Sequence, residues 1–282
     1  MYNFSTLFFG KSLIYLPECL STNEYALQML SDKSSEKVLE RTLFDGTLII
    51  TDNQTAGKGQ AGNTWDANPN ENITLSLILK PHFLDANEQF WLNMVVALGI
   101  FDFVSSKIKD NILDDLDNNS VKIKWSNDIF IDDKKVSGIL IQNILSGKNI
   151  IYSIIGIGLN INQLHFNIPT ATSLLLATNA SASASANASV DATANTYNVC
   201  VCVEELLSCL EKRYFQLKEN KKALIKFEYL QNMYRYQEKA MFEDVEGTFE
   251  GEIIGVDEIG KLCIKKNNKL HYYHFKEVKF CY

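Results

Sequence analysis

The sequence is short of positive charge. Its 27 lysines and arginines stand against 34 aspartates and glutamates, a formal net charge of −7 with pI near 5.2. A chain of that sign is a poor candidate for tracking a nucleic-acid backbone, which needs a basic surface, although a local basic pocket for a phosphate stays open. Met1 to Leu20 lacks a basic segment followed by a clean apolar stretch, so no secretory leader is expected. No uninterrupted apolar run of membrane-spanning length is read; Phe90 to Val104 is broken by Asn93 and Asp102. The six cysteines, Cys19, Cys200, Cys202, Cys209, Cys263 and Cys281, match no zinc spacing. Cys200 and Cys202 are too close for the usual site, and the expectation is reduced thiols in a cytoplasmic protein. What remains is ordinary: 46% hydrophobic and 22% charged over 282 residues, enough for one large domain or one large and one small.

Ser21-Thr22-Asn23-Glu24 reads as a helix start, with Ser21 as cap and Glu24 placed for a capping box. Gly46 to Asp52 is rich in β-branched residues and reads as a buried strand; Ile73 to Leu79 is another. Gln89 to Ile108 has helical periodicity. Four strands follow, Val121 to Trp125, Ile129 to Ile131, Val136 to Gln142 and Ile150 to Ile157, with hairpin turns at 132–135 and 146–149. The expected fold is α+β, a largely antiparallel central sheet with flanking helices. Val203 to Leu217 and Lys221 to Tyr236 read as helices. The segment from Ala177 to Thr196 is almost wholly Ala, Ser, Asn and Thr, with too little apolar surface to offset the entropy of ordering, and is expected to be a mobile loop. Strand-rich residues beyond Ala240, with a turn at Asn267-Asn268, predict a small SH3-like β-barrel. The expected domains are 1–237 and 238–282.

Gly57-Lys58-Gly59-Gln60-Ala61-Gly62 matches G-x-G-x-x-G after a strand. A dinucleotide-binding turn requires a helix to begin there and aim its N-terminus at a pyrophosphate. The continuation, Asn63 to Asn70, is rich in Asn, Asp and Pro and leads to a strand, so that reading fails its own context. Three glycines in six residues with a lysine among them still suit a backbone wrapped round an anion. Three further segments accompany the loop: Lys124-Trp125-Ser126-Asn127-Asp128, Lys135-Val136-Ser137-Gly138-Ile139-Leu140 and Gly156-Ile157-Gly158-Leu159-Asn160-Ile161-Asn162. Taken singly these are a solvated strand end, a hairpin lysine and a bulged turn.

Taken in order, together with Ser21-Thr22-Asn23, Asp52 to Ala56 and Ala171-Thr172-Ser173-Leu174, they resemble the biotin–protein ligase family from about Ser21 to Ser173. The resemblance implies a biotin/lipoate-ligase core of the class II synthetase kind. It implies activation of biotin by ATP and Mg²⁺ to biotinyl-5'-AMP, then transfer to a lysine of a biotin carboxyl carrier protein or of a carboxylase's carrier domain. Ser21, Thr22, Asn23, Gln54, Gly57, Gly59, Gly138 and Gly156 would surround biotin. Lys58, Gly59, Gln60, Trp65, Lys124, Asn127, Asp128, Gly158 and Asn160 would hold the nucleotide, with Asp128 nearest a metal. Lys135 and Lys58 would be catalytic, Lys135 approaching the biotin carboxylate and the α-phosphate. Trp65 and Trp125 would wall the pocket.

Family members commonly carry arginines through the glycine loop, where this chain has Lys58, Gln60, Ala61 and Asn63. A proline common before the Asn-Asp pair is Ser126 here, and the Ala/Ser/Asn-rich segment looks like an insertion. About 20 residues precede Ser21, fewer than a helix-turn-helix domain needs, so a ligase-only member with neither DNA nor membrane as partner is expected. The alternatives are a lipoate–protein ligase and a biotin or biotinyl-AMP sensor without catalysis. The first is disfavoured because its arginine-preceded glycine loop is missing, the second because Lys135 is present.

Overall fold

A computed structural model describes residues 4–31, 44–111, 120–185 and 196–281. Seven strands form the central sheet: β1 (Leu13–Cys19), β2 (Thr47–Gln54), β5 (Asn72–Leu79), β6 (Val121–Lys124), β7 (Asp128–Ile131), β8 (Lys134–Ser146) and β9 (Asn149–Asn160). Their order is β1-β2-β5-β9-β8-β7-β6. Every pairing is antiparallel except β1 with β2. The mixed, largely antiparallel α+β architecture is therefore the one expected. β1 is the element that pattern reading missed. Pro17 and Glu18 break its alternation, and an edge strand tolerates a proline that a central one would not.

Strand alternation divides the sheet into two faces. Ile49, Ile78 and Ile154 pack under Ala26 of helix α1 (Thr22–Ser31). Leu48, Ile50, Leu75, Leu77, Leu79 and Ile155 belong to the main core with helix α2 (Gln89–Asn111). By length and composition the stretch Ala86–Asp110 is long and apolar enough to cross a membrane, which the broken apolar run had not suggested. Here it is a core helix, packed against α4 (Val199–Lys218), α5 (Lys222–Gln231) and the sheet. α5 stops at Gln231, short of the expected Tyr236. Beyond it Met233 bridges to Ile123 and Tyr234 donates to the Ile123 carbonyl, so the chain leaves the helix to satisfy the edge of β6.

The Ala/Ser/Asn-rich segment requires a correction. Helix α3 (Leu174–Ser185) runs through its first half, so residues 177–185 are helical and not a loop. Leu174 and Leu175 are fully buried and anchor the first turn, Thr178 bonds back to the Leu174 carbonyl, and alanine's helix preference carries the helix on. The remainder, 186–195, lies outside the described residues.

A second, five-stranded antiparallel sheet has the order β13-β12-β11-β10-β14, from β10 (Lys239–Asp244), β11 (Gly247–Val256), β12 (Leu262–Lys266), β13 (Lys269–Tyr273) and β14 (Lys279–Phe280). Asn267 and Asn268 both take positive φ, 51° and 59°, as do Asp132 and Asp133 between β7 and β8, 45° and 63°. Two consecutive left-handed residues give the hairpin turn whose twist matches the strands, and Asn and Asp tolerate it best among non-glycine residues.

Candidate active site

A pocket opens over the centre of the first sheet, between the start of α1 and the glycine-rich segment. That segment is a small hairpin, not a simple loop. β3 (Gly57–Lys58) pairs with β4 (Thr64–Trp65) across a 3₁₀ turn at Gln60–Gly62. Ala61 and Gly62 take positive φ at its tip, and Gly59 N–H donates to Asn63 O at 2.7 Å. A strand follows the glycines where a dinucleotide turn would have a helix.

The pocket brings together Ser21, Thr22, Asn23, Gln54, Lys58, Gly59, Gln60, Trp65, Asn127, Asp128, Lys135, Gly138, Gly156 and Gly158. Its floor is polar because β5 is polar on one face: Asn72, Thr74 and Ser76 alternate with Ile73, Leu75 and Leu77. Ser76 Oγ donates to Asn23 Oδ1 at 2.6 Å. Asn23 Nδ2 donates to Gln142 Oε1 at 2.9 Å, and Thr22 N–H to Gln54 Oε1 at 2.9 Å. Asn23 is thus fixed by its carboxamide, and Gly156 makes room for it: a methyl at 156 would run into Asn23 Oδ1. Gly138 and Gly158 pair across β8 and β9, and the Trp65 indole lies on both. Its Nε1 is buried without a hydrogen-bond partner among the described residues.

Lys135 stands at the pocket's charged side. Its Nζ is 2.8 Å from Asp128 Oδ1 and 5.6 Å from the Trp65 ring centroid. A bulge between Ile129 and Phe130 sets β7 against β8 there. The backbone of Lys135 is clamped on the other side: its N–H donates to Thr170 O at 2.8 Å, and Thr172 N–H donates to its carbonyl at 2.9 Å. The Ala171-Thr172-Ser173 segment is therefore a brace for Lys135.

Four expected site residues lie elsewhere. Gly57 does not line the pocket. It permits a close approach, since a methyl there would strike Trp65 O and Gln54 Nε2. Lys124 is outside the lining, with its ammonium 4.8 Å over the Phe130 ring and 5.2 Å over Phe280. Trp125 is not a pocket wall: its Nε1 donates to Gly260 O at 2.9 Å, joining the first sheet to the second. Asn160 lies beneath the pocket, where its Nδ2 donates to Thr172 O at 2.9 Å and so supports the brace behind Lys135. The capping box at α1 also forms differently. Ser21 caps weakly, at 3.5 Å from Glu24 N, while the Glu24 carboxylate crosses the pocket mouth to pair with Lys58.

Sequence reading missed Asn63, Thr64, Thr74, Leu75, Ile139, Leu140, Ile157 and Phe275, all of which line the pocket. Thr74 had a signal, the polar alternation along β5. Phe275, from the second sheet, had none. No cluster of three His, Cys, Asp or Glu side chains occurs among the described residues, and Asp128, the one expected metal ligand, is held by Lys135. The donor set suits a divalent cation only if most of its ligands arrive with a phosphate substrate.

Residues 26–160 match the model of the biotin/lipoate A/B protein ligase family. The bifunctional ligase/repressor BirA of Bacillus subtilis is 26% identical over 261 residues, 92% of this chain and 70% of that protein. The biotin–[acetyl-CoA-carboxylase] ligase of Mycobacterium tuberculosis is 30% identical over 131 residues, 46% of this chain and 45% of that one. The biotin protein ligase of Aquifex aeolicus, solved with biotin and ATP, superposes with a TM-score of 0.66 at 23% identity, covering 96% of this chain and 100% of the other. The matched stretch supplies the glycine hairpin, β5, the Asn127-Asp128 pair, Lys135 and the β8–β9 glycines, most of the pocket, and over those residues the chain is similar to the biotin/lipoate A/B protein ligase family.

Proposed function

We propose that this protein is an ATP-dependent biotin–protein ligase that forms biotinyl-5'-AMP and then transfers biotin to a lysine of a biotin carrier domain. The observation that carries the reading is the convergence on one pocket of Lys135, the glycine hairpin and the polar floor of Thr22, Asn23 and Gln54. In the first step the biotin carboxylate attacks the α-phosphorus of ATP and pyrophosphate leaves. Two anions must meet, and the Lys135 ammonium offsets their repulsion as charge builds on the phosphorus oxygens. Lys58, Gly59 and Gln60 of the glycine hairpin line the same pocket. Thr22, Asn23 and Gln54 orient the uncharged end of the substrate, and Trp65 covers its apolar body. The hairpin keeps water from the mixed anhydride until a carrier amine attacks its carbonyl and AMP departs.

Magnesium would enter with the nucleotide, held mainly by phosphate oxygens with Asp128 as the nearest carboxylate, and would neutralise the pyrophosphate leaving group. In this reading residues 1–237 form the catalytic unit and 238–282 an appended one, and the carrier is a biotin carboxyl carrier protein or the equivalent domain of a carboxylase. The test is pyrophosphate exchange into ATP with biotin or lipoate as the acid. Exchange with biotin at least tenfold above lipoate is expected. Exchange driven by lipoate alone would make the protein a lipoate ligase, and tight biotin binding with no exchange would make it a sensor.

A further inference from the structure

The glycine hairpin of this chain lacks cations at positions 60, 61 and 63, so its tip carries no charged side chain of its own to fix the turn. The structure brings a cation there from the other end of the sequence. Lys276 Nζ donates to the Ala61 carbonyl at 2.6 Å, across 215 positions of chain. Ala61 is at the apex of the turn, with φ 53°, and Lys276 itself is held at φ 69°. Its neighbour Phe275 lines the pocket.

The position of that pair is fixed by buried contacts. Trp125 donates to Gly260 O from a side chain only 6% exposed, and its ring is 6.3 Å from that of Phe275. Gly260 approaches so closely that a methyl would run into the Phe90 ring. Glu277 accepts from the His274 N–H at 2.6 Å and shapes the turn that presents Phe275 and Lys276. The second sheet is thus seated firmly on the first, with one side chain in the pocket wall and one on the hairpin tip.

We propose that Lys276 is a positioning residue: from the second sheet it ties down the glycine hairpin and so sets how long the acyl-adenylate intermediate is retained. The adenylate part of this proposal rests on the ligase reading above; the tether does not. Lys276 touches no reacting atom. It acts through the hairpin backbone, making no bond to substrate, and its charge serves in place of loop arginines. A hydrogen bond from an ammonium to a carbonyl at an exposed site such as this one corresponds to about a three- to tenfold change in the open population of the turn.

The experiment has two arms on the full-length protein. In the first, amide hydrogen exchange of residues 57–65 is measured without ligand for wild type, Lys276→Ala, Lys276→Arg and the control Lys269→Ala, an exposed lysine of the same sheet. Lys276→Ala should exchange about three- to tenfold faster there, with Lys276→Arg and Lys269→Ala near wild type. In the second, release of preformed biotinyl-AMP is followed after dilution. Lys276→Ala should release it faster by a similar factor and raise KM for ATP. The maximal rate of adenylate formation should stay within about twofold, and Lys276→Arg should restore retention. Unchanged hairpin exchange in Lys276→Ala overturns the tether. Faster exchange with unchanged release overturns its role in retention. Faster exchange in a protein that forms no adenylate leaves the tether standing and rejects the ligase reading instead.

Discussion

Removing the Lys135 ammonium separates its contribution to the fold from its contribution to the chemistry. Its ion pair with Asp128 is partly solvated, with side chains 31% and 24% exposed, so it contributes at most about 1 kcal/mol to stability. The backbone contacts of residue 135 with Thr170 and Thr172 do not involve the side chain and survive in Lys135→Ala. β8 keeps its buried Val136, Ser137 and Ile139. Chemistry should suffer far more. Loss of one preorganised charge contact costs about 10²–10³ in rate, roughly 2.7–4 kcal/mol. The mutation also leaves the Asp128 carboxylate uncompensated beside the entering phosphates, adding repulsion. Lys135→Ala should therefore lose at least a hundredfold in biotin-dependent pyrophosphate exchange while its Tm falls by no more than about 3 °C. Exchange within threefold of wild type for Lys135→Ala would refute the role given to this lysine.

Gly156→Ala should raise KM for biotin about tenfold and change the maximal rate much less, since a methyl there displaces the Asn23 carboxamide from its place at the pocket floor; equal KM values in steady-state exchange would contradict this. Gln60→Arg should slow release of biotinyl-AMP a few-fold, because a hydrogen bond to a charged group exceeds a neutral one by about 1 kcal/mol; release measured after rapid dilution gives the answer, and an unchanged rate removes the argument. Arg213→Met should lower Tm by about 5–10 °C. The guanidinium, 10% exposed, binds Asp102 at 2.6 and 2.9 Å and pairs with Glu228, and its removal strands two carboxylates at a cost of about 2–3 kcal/mol once their partial exposure is allowed for. Burial pushes the Cys202 and Cys209 thiols up to about 11, so at pH 8 they are almost wholly protonated and weakly nucleophilic. Iodoacetamide at that pH should modify exposed Cys200 well before either, as read by mass spectrometry, and equal labelling rates would show that the helix opens.

The parts of this protein that were legible in its sequence share a physical origin: a local pattern sufficed to specify them. β5, β8 and β9 announce themselves by β-branched runs, and the turns at Asp132-Asp133 and Asn267-Asn268 by residues that tolerate positive φ. The Ser21–Asn23 start and the glycine hairpin could be placed at one site because each is a contiguous motif. The misreadings arose where a distant partner decides the outcome. Lys124 and Trp125 sit beside pocket residues in sequence, yet strand alternation and the second sheet take them away, one to the rings of Phe130 and Phe280 and one to Gly260. Glu24 has the spacing of a capping residue, but an ammonium across the pocket mouth outbids a backbone amide for its charge. The Ala/Ser/Asn-rich stretch follows two buried leucines that start its helix, which its own composition does not reveal.

Asn160 shows the same principle at the site itself. As a motif residue it suggests direct contact with ligand; as a side chain it bonds the Thr172 carbonyl, while the Thr172 N–H holds the carbonyl of Lys135. A change at 160 should therefore reach the chemistry through the placement of Lys135. The brace links the end of β9 and the nearby 170–172 segment to the start of β8, more distant in the chain. That linkage fixes the backbone of Lys135, the lysine that in the proposed reaction would meet two converging anions. A long flexible side chain on a rigid backbone can follow charge as it develops, whereas the same side chain on a loose strand would lose that preorganisation.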